Sequence, residues 1–367
     1  MRILLCGGGT AGHVYPAIAM AEIIKSKYPD AEFLFIGRTR GEENDIPKSF
    51  GIPVEEIDAK GIDRKSIFKA LNGILKSLAA TKKAKNIIRQ FSPRLVIGTG
   101  GYVTWPVIQA ARRLKIKTVI HESNAFPGLV TRMLAGVSDA TILGFNSAKA
   151  QLKRGKRLIT LGNPTRREFK TISRNEARRR LGIPKSVFLT VSFGGSLGAG
   201  IMNEIIPEAM QRLSNNNPGY THIHASGKRY FDECKKKYPE LIKKHGTRIL
   251  PYIENMPLWF SAADLAITRS GAITLSELTA ARLPSILIPS PNVTDDHQSA
   301  NAREMSKDGG AILLPEAALT PSVLIEAIEN LLNDRSRLSS MRDAIPRDRS
   351  ADFERSFISL FDELYPF

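Results

Sequence analysis

Residues 265–277, LAITRSGAITLSE, combine a backbone anion site with a carboxylate. Leu265-Ala266-Ile267 reads as a strand buried on both faces. Arg269-Ser270-Gly271 breaks the run, and Leu275, Leu278 and Ala281 then repeat at helical spacing. A helix start at the carboxyl end of a parallel strand turns unpaired N–H groups and a positive dipole end toward an anion such as phosphate. Glu277, one turn further in, can accept hydrogen bonds from two sugar hydroxyls; Thr274-x-x-Glu277 equally has the spacing of a capping box. Residues 7–13, GGGTAGH, place a glycine loop and then His13 between a strand pattern and a helix pattern, again a phosphate-cradling arrangement. The dipole at a helix start disfavours imidazolium, so a neutral His13 suits a general base, and suits a polar cap or phosphate contact as well. Residues 121–124, HESN, put a third polar cluster at the end of an apolar run, where His121 reads either as a site residue or as a satisfied interior histidine.

These residues need strands to end under them. RILLC (residues 2–6) predicts the first strand, and Pro16 is expected in the first turn of a helix continued by Ile18, Ala19, Ala21, Ile23 and Ile24. Gly7-x-Gly9-x-x-Gly12 fits a dinucleotide fingerprint, but the next strand, residues 32–37, ends in Arg38 where a ribose-binding acid would stand. Residues 95–97 and 118–120 predict further strands, the first ending in a second glycine loop, GTGGY, before a helix over 106–114. Asn163-Pro164 and the polar run from Arg166 to Arg180 read as a hinge or linker. Strand, glycine loop and helix then recur at 188–193, 194–200 and 203–213. Residues 248–253 and 285–289 predict two more strands, and Asp295 to Ala302 enters a helix with Gln298 and Asn301 on one face. Phe353, Phe357, Ile358, Leu360, Phe361 and Leu364 have the spacing of a closing helix. The repeated grammar predicts two doubly wound α/β domains, each with its site at the carboxyl ends of its strands.

The 367 residues fit two domains, and a hydrophobic content of 42% supports a sizeable core. Two cysteines, Cys6 and Cys234, give neither a disulfide framework nor a metal spacing, which fits a reducing compartment. His222 and His224 alternate on a strand without a third ligand and read as structural. No Asp-x-Asp stands at a strand end, so a metal-bridged diphosphate site is not supported; neither a metal nor a cofactor is expected. The start, MRILLCGGG, lacks the pattern of a signal peptide, and no apolar stretch approaches the ~20 residues of a membrane span. A net charge of +17 calls for an anionic partner: nucleic acid, an anionic membrane surface or phosphorylated substrates.

GGGTAGHVYPA, GTGGY, HESN, GNPTR, FGGSLGA, TRSGAITLSE and DDHQSANA follow one another in this order across most of the chain. As an ordered set they resemble the MurG family of glycosyltransferases, family 28. The resemblance implies the GT-B fold, two facing Rossmann-like parallel-sheet domains with an interdomain cleft. It implies inverting transfer of N-acetylglucosamine from UDP-N-acetylglucosamine to the undecaprenyl-linked muramyl-pentapeptide, lipid I, giving lipid II in peptidoglycan synthesis. It also implies a peripheral location on the cytoplasmic face of the bacterial membrane. Residues 1–163 would form the acceptor and membrane-docking domain, completed by a C-terminal helix at about 346–367, and residues 164–345 the donor domain. Thr10, Ala11, Gly12 and Asn124 would contact the donor from the N-terminal side, and Arg166, Ser196 and Ile253 from the other. Ala272, Ile273, Thr274, Leu275, Ser276, Glu277 and Gln298 would bind its uridine and ribose. His13 is the first candidate for the catalytic base and Glu122 the second. Helix dipoles, backbone N–H groups and Arg166 would stabilise the departing diphosphate. The chain departs from the family pattern at Ala11, where Gly is usual, and at Ser123 and Leu197, where Gln is frequent.

Competing readings are another GT-B lipid glycosyltransferase, a UDP-N-acetylglucosamine epimerase, a nucleotide-cofactor oxidoreductase and a nucleic-acid binder. The missing ribose acid and the second glycine-loop domain count against the oxidoreductase. No recognised motif and no interleaving of basic with aromatic residues supports binding of nucleic acid. Residues 64–89 carry Arg64, Lys65, Lys69, Lys76, Lys82, Lys83, Lys85 and Arg89 and no acid. Ile67, Phe68, Leu71, Ile74, Leu75 and Leu78 form a stripe among them, as in a helix lying on an anionic membrane or one burying that stripe in a core.

Overall fold

A computed structural model of the chain describes residues 1–59, 67–166, 168–195, 197–243, 246–293, 296–345 and 350–365. The chain divides into unit 1, Met1–Pro164 with Arg349–Phe367, and unit 2, Thr165–Asp348.

Unit 1 is built on β1 (Arg2–Cys6), β2 (Glu32–Arg38), β3 (Val54–Ile57), β4 (Leu95–Gly98), β5 (Lys117–Glu122), β6 (Ala140–Leu143) and β7 (Leu158–Thr160). All pair in parallel in the order β3-β2-β1-β4-β5-β6-β7. The order reverses between β1 and β4, so the loops after these two strands flank a switch point, the place where such sheets bind ligands. The strands are apolar because helices cover both faces: β4, LVIG, is buried along its whole length. The helix Ala11–Lys27 lays Val14, Ile18, Ala21 and Ile24 on one face of the sheet. It begins five residues before Pro16, earlier than expected. Pro16 therefore lies inside the helix, where it cannot supply the i→i−4 hydrogen bond to the Gly12 carbonyl. The helix Ser350–Leu364 belongs to unit 1, where Phe353, Phe357, Leu360 and Phe361 join the same cluster. Asp362 ties it down by accepting from Lys27 Nζ at 2.6 Å and from the Tyr28 hydroxyl at 2.6 Å. The helix Ile67–Phe91 buries Ala80, Ala84, Ile87 and Ile88 against the other face and leaves Leu78 51% exposed. Arg64 and Lys65 lie outside the described residues, as do the side chains of the remaining expected membrane-facing positions up to Lys76.

Unit 2 is built on β8 (Phe188–Phe193), β9 (Tyr220–Ala225), β10 (Arg248–Leu250), β11 (Leu265–Thr268), β12 (Ser285–Leu287) and β13 (Ala311–Leu313). They pair in parallel in the order β10-β9-β8-β11-β12-β13, with the switch point between β8 and β11. The stretch expected as a linker instead forms the helices Glu168–Thr171 and Arg174–Leu181. The second starts at a Ser173 side-chain cap, ends at Gly182 in the left-handed region, and buries Ala177 and Arg178. Its polar sequence misleads because Arg178, an apparent surface residue, is satisfied inside by the carbonyls of Ala262, Pro184 and Val187 and by Asp264.

Candidate active site

In unit 2, β11 ends at Thr268 and the helix Ala272–Ala280 begins at Gly271. Gly271 is the N-cap and has no side chain, so no side chain caps this helix, and its first turn holds no acid. Thr274 and Glu277 are therefore its third and sixth residues, which overturns the capping-box spacing and leaves the first N–H groups to a ligand or water. Ala272 and Leu275 point into the core, so backbone is what they can offer a ligand. Ser276 returns its hydroxyl to the Ala272 carbonyl at 3.0 Å. The turn is pinned from both sides. Arg269 pairs with Glu316 and donates to the carbonyls of Ile288 (3.1 Å) and Pro289 (3.2 Å). Ser270 donates to the Gln298 carbonyl at 2.9 Å, and Asn301 Nδ2 donates back to the Ser270 carbonyl at 3.1 Å. Gln298 accepts from Ser290 N through Oε1 at 2.9 Å, which turns its amide nitrogen away from that contact.

Glu277 faces Arg166, with Oε1 3.4 Å from Arg166 Nη2. Its side chain is 17% exposed, and the guanidinium lies 4.9 Å from the centre of the Phe169 ring. Burial pushes the Glu277 carboxyl up to about 7, against the pull of Arg166. Ile253 follows β10 with its side chain buried, so its main chain is the part available to a ligand. Ser196 lies outside the described residues, and Leu197 next to it is exposed.

The glycine loop after β8 is seated by a buried polar chain. Gly198, at φ +79°, lies so close to the next turn that a Cβ would stand 2.0 Å from the Ser226 carbonyl oxygen. That carbonyl accepts from Asn203 Nδ2 at 3.0 Å, so Asn203 Oδ1 is the acceptor for His224 Nε2–H at 2.8 Å. Burial pulls His224 down to about 3 and holds His222 well below the usual histidine range. Both rings are neutral. The remaining protons follow: Ser192 O–H donates to His224 Nδ1 (2.7 Å), His222 Nε2–H to Ser192 Oγ (2.8 Å), and Tyr220 O–H to His222 Nδ1 (2.9 Å). His222 and His224 thus have the structural role expected of them, and the chain ends at the backbone under the loop.

In unit 1 the loops after β1 and β4 meet at the switch point. A Cβ on Gly101, at φ +78°, would stand 2.0 Å from Gly8 O, so only glycine fits there. Thr99 Oγ1 donates to His13 O at 2.5 Å and lies 3.2 Å from Cys6 O. Thr10 is the N-cap without a side-chain cap bond, and Thr10, Ala11, Gly12 and His13 all reach the surface to some degree. His13 Nδ1 lies 3.0 Å from Gly8 O. A carbonyl only accepts, so Nδ1 carries the proton and Nε2 is the accepting nitrogen of the neutral ring. His121 is buried, which brings it down to about 4, and nearby His13 further disfavours its charge.

Glu122 is buried with four donors on its carboxylate. Oε1 accepts from Asn124 N (2.9 Å) and Asn124 Nδ2 (3.1 Å); Oε2 accepts from Gly128 N (2.9 Å) and Thr131 Oγ1 (2.6 Å). These bonds organise residues 122–131 and orient Asn124. Glu43 escapes a local reading of the sequence. It stands in the acidic run RGEEND, where nothing separates it from a solvated loop. In the fold it is buried and accepts from Gly9 N at 2.6 Å, with Arg38 Nε 3.7 Å away. One amide of the first glycine loop is thereby already held by a carboxylate of the chain itself.

Residues 3–142 match the glycosyltransferase family 28 N-terminal domain and residues 189–357 the glycosyltransferase family 28 C-terminal domain. The chain is 42% identical over 341 residues to the UDP-N-acetylglucosamine–N-acetylmuramyl-(pentapeptide) pyrophosphoryl-undecaprenol N-acetylglucosamine transferase of Acetivibrio thermocellus, covering 93% of this chain and 92% of that one. Among solved structures it resembles MurG of Acinetobacter baumannii, with a TM-score of 0.74 and 26% identity over 98% of this chain and 99% of that one. The UDP-N-acetylglucosamine 2-epimerase of Neisseria meningitidis, solved with UDP-N-acetylglucosamine bound, shares the fold at a TM-score of 0.64 and 14% identity, over 99% of this chain and 100% of that one.

Proposed function

The chain belongs to glycosyltransferase family 28, and from that premise we propose that it transfers N-acetylglucosamine from UDP-N-acetylglucosamine to lipid I, forming lipid II. The observation that carries the donor half is the uncapped helix start at Gly271 with Glu277 buried beside Arg166. In this reading the first N–H groups of that helix and Gln298 hold the uridine, and Glu277 accepts from ribose hydroxyls. Arg166, whose guanidinium already lies beside that carboxylate, balances the charge of the leaving diphosphate.

His13 is the proposed base. With Nδ1–H held by Gly8 O, its Nε2 lone pair can take the proton of the acceptor hydroxyl. The acceptor oxygen bonds to the anomeric carbon as the bond from that carbon to the diphosphate oxygen breaks. UDP leaves with that electron pair, and the configuration inverts. Glu122 is a poorer candidate, because both of its carboxylate oxygens are already engaged by donors of its own loop. No helix among the described residues is long and apolar enough to cross a membrane. From the family relationship and the basic stretch 64–89, the proposed location is peripheral, on the cytoplasmic face, with that stretch resting on anionic lipid.

The test is transfer of labelled N-acetylglucosamine from the UDP donor to a lipid I analogue. Product that forms only when the analogue is present supports the proposal. Turnover of the donor in its absence would point to an epimerase instead.

A further inference from the structure

Asp264 stands at the amino end of β11, the end opposite the turn that leads to Glu277. It is buried, and three arginines converge on it. Oδ1 lies 2.6 Å from Arg174 Nη2 and 3.6 Å from Arg335 Nη1, and Oδ2 lies 2.7 Å from Arg178 Nη2. Arg174 and Arg335 share one oxygen, which brings those two nitrogens within 6.2 Å of each other. Oδ2 also accepts from Leu189 N at 2.9 Å. Two further arginines belong to the cluster. Arg282 Nη2 donates to the Arg342 carbonyl at 3.2 Å and lies 3.3 Å from Asp343 Oδ1. The positive charge of Arg342 is opposed by its burial and by Arg174 and Arg282, and favoured by Asp264 and Asp343.

Three guanidiniums therefore share the Asp264 carboxylate, and the carboxylate beside Arg282, Asp343, is largely in water. Arg178 is sealed inside by backbone carbonyls. Arg174 gives one N–H to Asp264 and one to the Ala263 carbonyl at 2.7 Å, and its side chain remains 37% exposed. Arg335 is different. Its side chain is 53% exposed, its guanidinium is held 4.7 Å from the centre of the Phe188 ring, and its closest bridging carboxylate oxygen is the shared one at 3.6 Å. A cation kept rigid against an aromatic face, next to like charges and short of an anion, suits a multiply charged oxyanion that accepts several N–H bonds at once.

We propose that Arg335, Arg342 and Arg174 form an anion site on the amino-end face of the unit 2 sheet that takes the phosphate groups of a small phosphorylated molecule. The site is separate from the candidate donor site, because β11 runs between them. It does not depend on the reaction proposed above.

The test titrates inorganic pyrophosphate into the full-length protein by calorimetry, with and without saturating UDP. The expected result is a saturable site that persists under UDP and weakens as salt rises. In an Arg335→Ala, Arg342→Ala variant the affinity falls at least about tenfold, the order expected when charged hydrogen bonds are lost, while UDP affinity is unchanged. Arg335→Gln, which keeps much of the length of the chain, serves if the double variant does not fold. Absence of saturable binding in the presence of UDP would overturn the proposal, as would equal pyrophosphate affinity in wild type and variants. Vesicles containing phosphatidate form a second arm. Weaker binding to these by the Arg335→Ala, Arg342→Ala variant than by wild type, without any binding of pyrophosphate, would place the site on a membrane and reject the small ligand. Failure of UDP to bind at all would count against the donor site alone.

Discussion

Replacing Glu277 by Gln separates donor binding from stability, because the two should move in opposite directions. The carboxyl goes from its ordinary 4.5 to about 7 in the folded chain through burial. A folded state that binds the proton more tightly is favoured at low pH. The contribution of this group to stability is therefore complete below about pH 4.5 and is lost as pH rises to about 7. That difference in proton affinity corresponds to at most about 3 kcal/mol at pH 8. Gln stays neutral at every pH and escapes that penalty but gives up the pairing with Arg166, so a net gain of about 1–2 kcal/mol is reasonable. For a unit of this size the melting temperature at pH 8 should rise by roughly 2–8 °C, with little change near pH 4.5. Affinity for UDP should fall about tenfold to a hundredfold, because a carboxylate accepting ribose hydroxyls contributes about 1.5–3 kcal/mol. Wild-type UDP affinity should itself weaken as pH drops below about 7, and that of the variant should stay flat. Calorimetric titration with UDP and thermal denaturation at pH 5 and pH 8 read both effects. A variant that binds UDP like wild type at pH 8, or a melting difference that is the same at both pH values, would refute the reasoning.

His13→Ala should lower turnover by about 10²–10⁴-fold with little change in the donor KM; a loss under tenfold in a steady-state assay removes His13 from the role of base. Glu122→Gln should turn an NH₂ group against two donors and destabilise the protein by about 2–4 kcal/mol, read by denaturant unfolding. A folded Glu122→Gln variant of wild-type stability but greatly reduced turnover would instead return Glu122 to candidacy as base. The protein should bind vesicles of anionic lipid, release them as salt rises and ignore neutral ones. Replacing Lys65, Lys69 and Lys76 with Glu should abolish that binding and spare UDP affinity; equal vesicle binding by wild type and the triple variant would reject docking through this stretch.

The parts of this fold written in periodic apolar runs and glycine loops could be read in advance. Both switch points announce themselves as a short buried run followed by glycines, because tight turns and close backbone approach exclude side chains there. The Arg166–Glu277 pairing could not be read, since it joins residues 111 positions apart. Glu43 was invisible for the same reason: its partner, Gly9, sits on a different strand end. The unit boundary falls at Pro164, where Asn163-Pro164 suggested a hinge, but the helices in the polar run after it were hidden, because a charged helix and a solvated loop look alike until the buried carbonyls that satisfy Arg178 are known. Thr274 and Glu277 had capping-box spacing, but the helix starts at Gly271, three residues too early for it.

The polar chain from Tyr220 to Ser226 has a grammar of its own: every hydrogen points the same way along it. Reversing one link would set two protons, or two lone pairs, against each other at the next, inside a chain whose members are all buried. Its members therefore cannot drift one at a time. A lineage that exchanges His224 for a residue with different donor order must also rewrite Ser192 and Asn203, or abandon the polarity altogether for a greasy interior. An engineer recoding unit 2 should treat positions 192, 203, 220, 222 and 224 as a single five-letter word, to be kept or replaced whole.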